Sequence, residues 1–274
     1  MNLFCTQLRE PFKSKKVIKL ITGINNLNIS NIINLSKAAQ LSNVTYLDVV
    51  ADTKVVTLLK SYSSLPICVS SISPIDLYNS VVAGADLIEV GNFDFCYKQG
   101  IYLTPSQILE IVKQSKFLIG NIDICVTIPY YLSLDEQIRL SQDLEFLGVN
   151  ILQTESVFTN NKFDVSCRST YSVLNKVYPS FTSLLSTHII SNYVQLPIIA
   201  SSSMNNLSTS MALSLGASGV GIGSVISKQH NILNMSRYLK TMHSLINSTD
   251  SKLLSTPKRR SLLSNCYITD NVFV

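Results

Sequence analysis

The 274-residue sequence has no tryptophan and only three histidines, His188, His230 and His243. All three lie in segments of helical periodicity and none at a strand end, so neither a histidine triad nor a histidine metal site is expected. Six cysteines stand at positions 5, 68, 96, 125, 167 and 266, with no C-x-x-C pair and no zinc spacing. Cys68 and Cys125 fall within strand-like runs and read as small buried hydrophobes in a reducing compartment. No metal and no cofactor is predicted. Charged residues are scarce, at 14%, which argues against disorder. The net charge of +5 is spread out apart from runs at 13–16 and 258–260. Those runs read as solvated faces, so no nucleic-acid partner is expected. No apolar stretch reaches the roughly 18–20 residues of a membrane span. Residues 1–12 lack an apolar signal core and include Glu10, so neither a secretory signal nor a transit peptide is expected.

What the chain does have is apolar material in alternating blocks. Apolar residues make up 46% of it, enough for a large core. Strand-like runs at 17–22, 45–50, 67–71, 86–90, 123–128, 150–154, 198–201 and 219–222 alternate with helical segments. The helices begin near Ser30, Lys54, Pro74, Thr104, Leu134, Ser169, Asn206 and Asn231. Ser73-Pro74 and Thr104-Pro105 are N-cap and first-turn proline pairs, and Ser133 with Glu136 has capping-box spacing. Gly84, Gly148 and Gly216 stand where helices should end in a left-handed cap. Eight strands and eight helices with short connections predict an α/β fold, a single (β/α)8 TIM barrel over 1–250. An open doubly wound sheet is the alternative. Leu3, Phe4, Leu8 and Phe12, at helical spacing, can cover the bottom of the barrel. Residues 251–274 read as an extension packed on the barrel or on a partner, which leaves a homo-oligomer open. The long interval before the seventh strand should hold an active-site loop at 156–168 and a helix broken at Pro179.

In such barrels the chemistry sits at the C-terminal strand ends, and the loops after strands 7 and 8 often bind phosphate. Ser202, Ser203, Gly221, Gly223 and Ser224 fit that role: small residues leave bare N–H groups at the mouth of a following helix. The alternative is that the glycines only allow close helix packing. Polar residues in or just after the other strands supply the remaining candidates. Lys19 interrupts an apolar strand; it acts as a base or imine-forming amine, pairs with Asp48 or Glu89, or faces outward. Glu89 and Glu155 can serve as acid and base, or as partners of Lys19 or Arg168. Asp48 and Asn92 can hold substrate hydroxyls or cap loops, and Gln153 needs a partner if buried.

Segments 16–26, 65–74, 83–95, 123–129 and 147–155 together resemble a plastid-encoded family of hypothetical chloroplast reading frames, the Ycf family numbered twenty-three. The resemblance implies an aldolase-type barrel in the plastid stroma and supplies no catalytic residues. The eighth strand is also similar to the phosphate end of thiazole synthase and the tryptophan-biosynthesis barrels. The expected function is binding of a small phosphorylated metabolite, with lyase, isomerase or synthase chemistry on a carbonyl compound. The alternative is a non-catalytic metabolite-sensing or protein-binding barrel.

Overall fold

Each apolar run becomes a parallel strand in the computed structural model, which describes residues 3–156, 178–229 and 231–248. The strands are β1 (Val17–Ile21), β2 (Tyr46–Val50), β3 (Ile67–Ser71), β4 (Leu87–Val90), β5 (Asp123–Ile128), β6 (Ile151–Thr154), β7 (Ile198–Ala200) and β8 (Gly219–Ile222). They form one closed barrel in chain order. Lys19 of β1 sits beside Tyr46 on one side and Gly221 on the other, and this second pairing closes the ring. The open-sheet alternative is thereby set aside. Thr22, Thr45, Asp86, Asn150 and Ser201 fall just outside the strands, although their N–H groups still bond the neighbouring strand at 2.8–3.0 Å.

Among the described residues the helices are α1 (Thr6–Lys13), α2 (Ile29–Gln40), α3 (Thr53–Tyr62), α4 (Pro74–Val82), α5 (Asp94–Lys98), α6 (Pro105–Ile119), α7 (Leu134–Phe146), α8 (Phe181–Ile190), α9 (Asn206–Ser214), α10 (Ser224–Ser227) and α11 (Ile232–Ser248). Ser73 caps α4, and capping boxes open α6 at Thr104 and α7 at Ser133. Asp52 is the N-cap of α3, accepting from Val55 N at 2.9 Å. Gly84, Gly148 and Gly216 take φ of +111°, +74° and +108°, the left-handed region that a side chain resists. Pro179 and Ser180 form the turn before α8. The helix start at Ser169, the loop from 157 to 168 and the extension 251–274 lie outside the described residues. None of the described helices is long and apolar enough to cross a membrane.

The core has two parts. Outward strand faces pack against the helices, and inward side chains fill the lower barrel. β1 to β7 each give one residue to that floor: Val17, Tyr46, Cys68, Leu87, Cys125, Ile151 and Ile199. β8 gives Gly219, where a Cβ would lie 2.3 Å from the carbonyl oxygen of Val17. Leu3, Leu8 and Phe12 press on this floor from below, so α1 plugs the barrel. The plug is fastened by the buried Asp123 carboxylate, which accepts from Phe4 N at 3.0 Å and Cys5 N at 2.8 Å. Asp123→Ala strands both N–H groups and should cost roughly 1–3 kcal/mol. Hydrogen exchange should then rise in α1 and not in the strands; unchanged exchange in α1 would show that its apolar face alone holds it.

Candidate active site

The strand period of two sets the chemistry above the floor. Two residues beyond each floor position stand Lys19, Asp48, Ser70, Glu89, Thr127, Gln153, Ser201 and Gly221. An apolar layer is thus overlaid by a polar one, nearer the C-terminal mouth.

Lys19, with 0% of its surface exposed, is the centre of this layer. Its Nζ donates to Glu89 Oε2, lies 2.9 Å from Asp48 Oδ2 and donates to Gln153 Oε1 at 2.8 Å. Two hydrogen bonds and an ion pair thus tie the ammonium to three oxygens. Gln153 Nε2 in turn donates to Glu89 Oε1 at 2.8 Å, where Thr127 Oγ1 also donates at 2.7 Å. Ser70 Oγ donates to Asp48 Oδ1 at 2.5 Å. Half-buried Asn92, at φ +57°, roofs the cluster: its Nδ2 donates to Asp48 Oδ2 at 2.7 Å and to Ser70 Oγ at 2.8 Å. Asn accepts this left-handed backbone more readily than most residues.

The charges do not cancel: one ammonium faces two carboxyl groups. Burial and the attraction of Asp48 and Glu89 oppose one another at Lys19, and the carboxylates prevail, holding its pKa well above the ordinary lysine value. Burial, then Asp48, raise the Glu89 pKa against the pull of Lys19. Cys68 and Cys125 below are kept as thiols by burial. Asp48, Cys68 and Glu89 bring ligand atoms within 4.8 Å of one another, a grouping that can hold a metal ion. Lys19 already supplies the positive charge there, so a cation must compete with its ammonium.

Glu155 stands apart from this cluster. It is 4% exposed at the end of β6, and its Oε1 accepts from Tyr97 Oη and from Tyr130 N at 3.1 Å. Tyr97 stacks on Tyr102 at 5.4 Å and meets Tyr130 and Tyr131 edge-on at 5.2 and 5.7 Å. Burial in this aromatic nest pushes the Glu155 pKa up to about 8, against the pull of Tyr97. Glu155 is therefore a carboxylic acid at neutral pH. Sequence reasoning found Glu155 but not its partner. Tyr97 lies on α5, which is five residues long and shows no period.

Ser202 and Ser203 follow β7 with φ of +70° and +57°. Among the described residues no hydrogen bond uses their N–H groups or that of Met204. Gly223 precedes α10, and Ser224 begins it in the open. β7 and β8 are neighbours, so the two loops adjoin. Gly221 has a different environment: it faces inward, and a Cβ there would lie 2.8 Å from Ser201 Cβ and 3.0 Å from Ile21 Cδ1.

Residues 3–252 match the model of a family described as "Protein of unknown function (DUF561)". The chain is also 48% identical over 256 residues to the uncharacterized protein ycf23 of Antithamnion sp., covering 92% of this chain and 91% of that one. This chain belongs to the Ycf23 family. A second Ycf23 protein, from Porphyra purpurea, is 34% identical over 243 residues, with 89% of each chain covered. The barrel is similar to (S)-3-O-geranylgeranylglyceryl phosphate synthase from Thermoplasma acidophilum, solved with its substrate sn-glycerol-1-phosphate (TM-score 0.58, 10% identity, 90% of this chain and 99% of that one). It is also similar to 3-hexulose-6-phosphate synthase (TM-score 0.57, 14% identity, 84% and 99%). At these identities the likeness shows the fold alone, that of aldolase-type barrels.

Proposed function

We propose that this Ycf23 protein binds a small phosphorylated metabolite at the C-terminal mouth of its barrel. The phosphate would rest on the loops after β7 and β8, and the carbon skeleton would point toward Asn92 and Gln153. The reaction would be lyase, isomerase or synthase chemistry on a carbonyl compound. One observation carries this reading: a buried cluster of an ammonium and two carboxyl groups directly under the mouth. Buried charge clusters seldom add net stability over apolar packing, so a functional demand explains this one better than folding does. In this reading Lys19 is a fixed positive charge beside developing negative charge, not an imine-forming amine. Glu155 supplies or stores a proton, and Glu89 with Asp48 accepts one. The phosphorylated substrates named for the two neighbouring synthases lend support by fold analogy. The ycf name of the relatives supports a plastid setting, and we place the protein in the stroma.

A second reading, a metabolite sensor without turnover, is favoured by the enclosure of the Lys19 ammonium among Asp48, Glu89 and Gln153 of the protein itself. Mass spectrometry of small molecules retained by the gently purified protein, followed by NMR of each candidate incubated with it, separates the two. A retained phosphate ester that is converted supports the enzyme, and one that is kept intact supports the sensor.

The phosphate position has its own test. A Cβ at Gly223 would lie 3.4 Å from the nearest atom, Ile21 O, an ordinary contact, and Ser224 is exposed. Gly223→Leu and Ser224→Asp should therefore keep the melting temperature while weakening binding of glycerol and sugar phosphates by about tenfold or more. Calorimetric titration showing wild-type affinity in both variants would move the site elsewhere.

A further inference from the structure

The outer side of α4, α6 and α7 is apolar where the helices of a barrel ordinarily meet water. α4 buries Leu77 and Ser80 on its inner side. Its exposed residues Ile75, Tyr78 and Val82 form a second apolar stripe, at the i, i+3, i+7 spacing of one helix face. The one charged residue of this helix, Asp76, lies in its first turn. Val82, the last residue of α4, is 71% exposed. α6 packs along α4 and carries Phe117, 89% exposed, followed by Leu118. Lys116 Nζ donates to Gly148 O at 3.2 Å, which ties the end of α6 to the end of α7, where Phe146 is 93% exposed. One apolar surface therefore crosses the last turns of three neighbouring helices.

Folding does not explain this surface, because rings that stand in water add nothing to the core. Six side chains of this size, so exposed, present on the order of 700 Å². That exceeds the largest apolar patch of an ordinary monomer and approaches the ~800 Å² that each partner contributes to a standard interface. The charges beside it are self-complementary. Glu110 and Lys113 stand one turn apart on α6, both exposed, and among the described residues neither forms a salt bridge. A twofold axis between them packs α6 antiparallel against its own copy and sets each Glu110 against Lys113 of the partner subunit. The same axis lays α4 on its copy, with Tyr78 near the axis and Ile75 opposite Val82, since the stripe is nearly symmetric about Tyr78.

We propose that this face joins two copies of the chain in a twofold dimer, with α4 and α6 each antiparallel to its copy. The area is that of a stable interface, and the crossed charge pairs require a second copy. A lipid surface asks for several cations beside the apolar residues, and Lys113 is a single one. The dimer covers the outer side of the helices and leaves both barrel mouths open, so it holds whatever the mouth binds.

Sedimentation equilibrium of the full chain should give twice the 30.3 kDa chain mass. The expected Kd is about 1 μM or tighter, the weak end for an interface of this size. Val82→Glu combined with Phe117→Glu should weaken the dimer by about a hundredfold or more. Both positions are exposed, so circular dichroism of that variant should match wild type. Lys113→Glu sets like charges face to face and should weaken the dimer by about tenfold. Adding Glu110→Lys reverses both charges and should restore the wild-type Kd, a rescue that no other occupant predicts. A double reversal no tighter than Lys113→Glu overturns the crossed pairing. A wild-type chain that stays monomeric up to about 100 μM overturns the dimer. So does a dimer unchanged in the Val82→Glu/Phe117→Glu variant, which would place the interface elsewhere. A monomer that floats with phosphatidylglycerol vesicles, or whose Lys113 cross-links to Lys258 of the same chain, would give the face to lipid or to the chain's own end and overturn it equally.

Discussion

Lys19→Met should cost about 3–5 kcal/mol of folding stability at neutral pH, the scale on which removing one partner leaves buried charge uncompensated. The side chain is of similar length, so packing is nearly kept and the loss is electrostatic. Asp48 and Glu89 would be left facing each other without a cation, beneath Asn92 and Gln153. The Glu89 carboxyl, raised by burial and no longer held down by Lys19, would then lie further above its unfolded value, so the folded variant would bind more protons than the unfolded chain. Stability must therefore rise as pH falls. Urea unfolding should show the deficit against wild type shrinking from pH 8 to pH 5, and Glu89→Gln added to Lys19→Met should recover part of it. A single variant as stable as wild type at pH 8 would show that the cluster holds no net charge. The same geometry argues on reactivity: an ammonium with three bonded protons has no lone pair to offer. Borohydride with a carbonyl ligand is expected to leave residue 19 unmodified, and a tethered ligand there would overturn the fixed-charge role.

The barrel was legible because parallel strands buried on both faces must be short apolar runs, and a charge inside one is conspicuous. Lys19 stood out for that reason, and the need for a carboxylate partner followed from the cost of burying an ammonium. Asp48, Glu89 and Gln153 were visible as polar interruptions of the same kind. Their meeting was not, because it depends on ring closure, where β1 lies against β8, and closure leaves no local mark. Ser70 and Thr127 carry a signal that was available: each stands two residues beyond a floor cysteine, Cys68 or Cys125. Reading every strand at a step of two would have found the polar layer complete. Other features depend on distant contacts. Asp123 holds residues 118 and 119 positions away, and Tyr97 meets Glu155 across 58 positions. The short helices α5 and α10, of five and four residues, cannot display a period of 3.6.

Glu155 should make the protein less stable as pH rises through neutrality. Its pKa is about 8 in the fold, while the unfolded chain titrates near the ordinary glutamate value of 4.5. Between those values the folded state holds a proton that the unfolded state has released, so the derivative of unfolding free energy with pH is negative. Stability from this group is complete below about pH 4 and falls until about pH 8, a loss of roughly 3–5 kcal/mol at 1.36 kcal/mol per pKa unit. Glu89, Asp94 and Asp123 are raised by burial in the same sense, so Glu155 is isolated by the difference between wild type and a variant that cannot titrate there. Glu155→Gln keeps an oxygen to accept from Tyr97 and Tyr130 N and removes the titration. Urea unfolding at pH 6, 7 and 8 should show a wild-type slope steeper than that of Glu155→Gln by nearly one proton, with the variant relatively more stable at pH 8. Tyr97→Phe gives the complementary result. It removes a donor that favours the charged form, so the carboxyl pKa should move further up and the decline should extend beyond pH 8. Equal slopes in wild type and Glu155→Gln would mean that Glu155 is ionised in the fold, and its role as a proton store at the mouth would fall with that result.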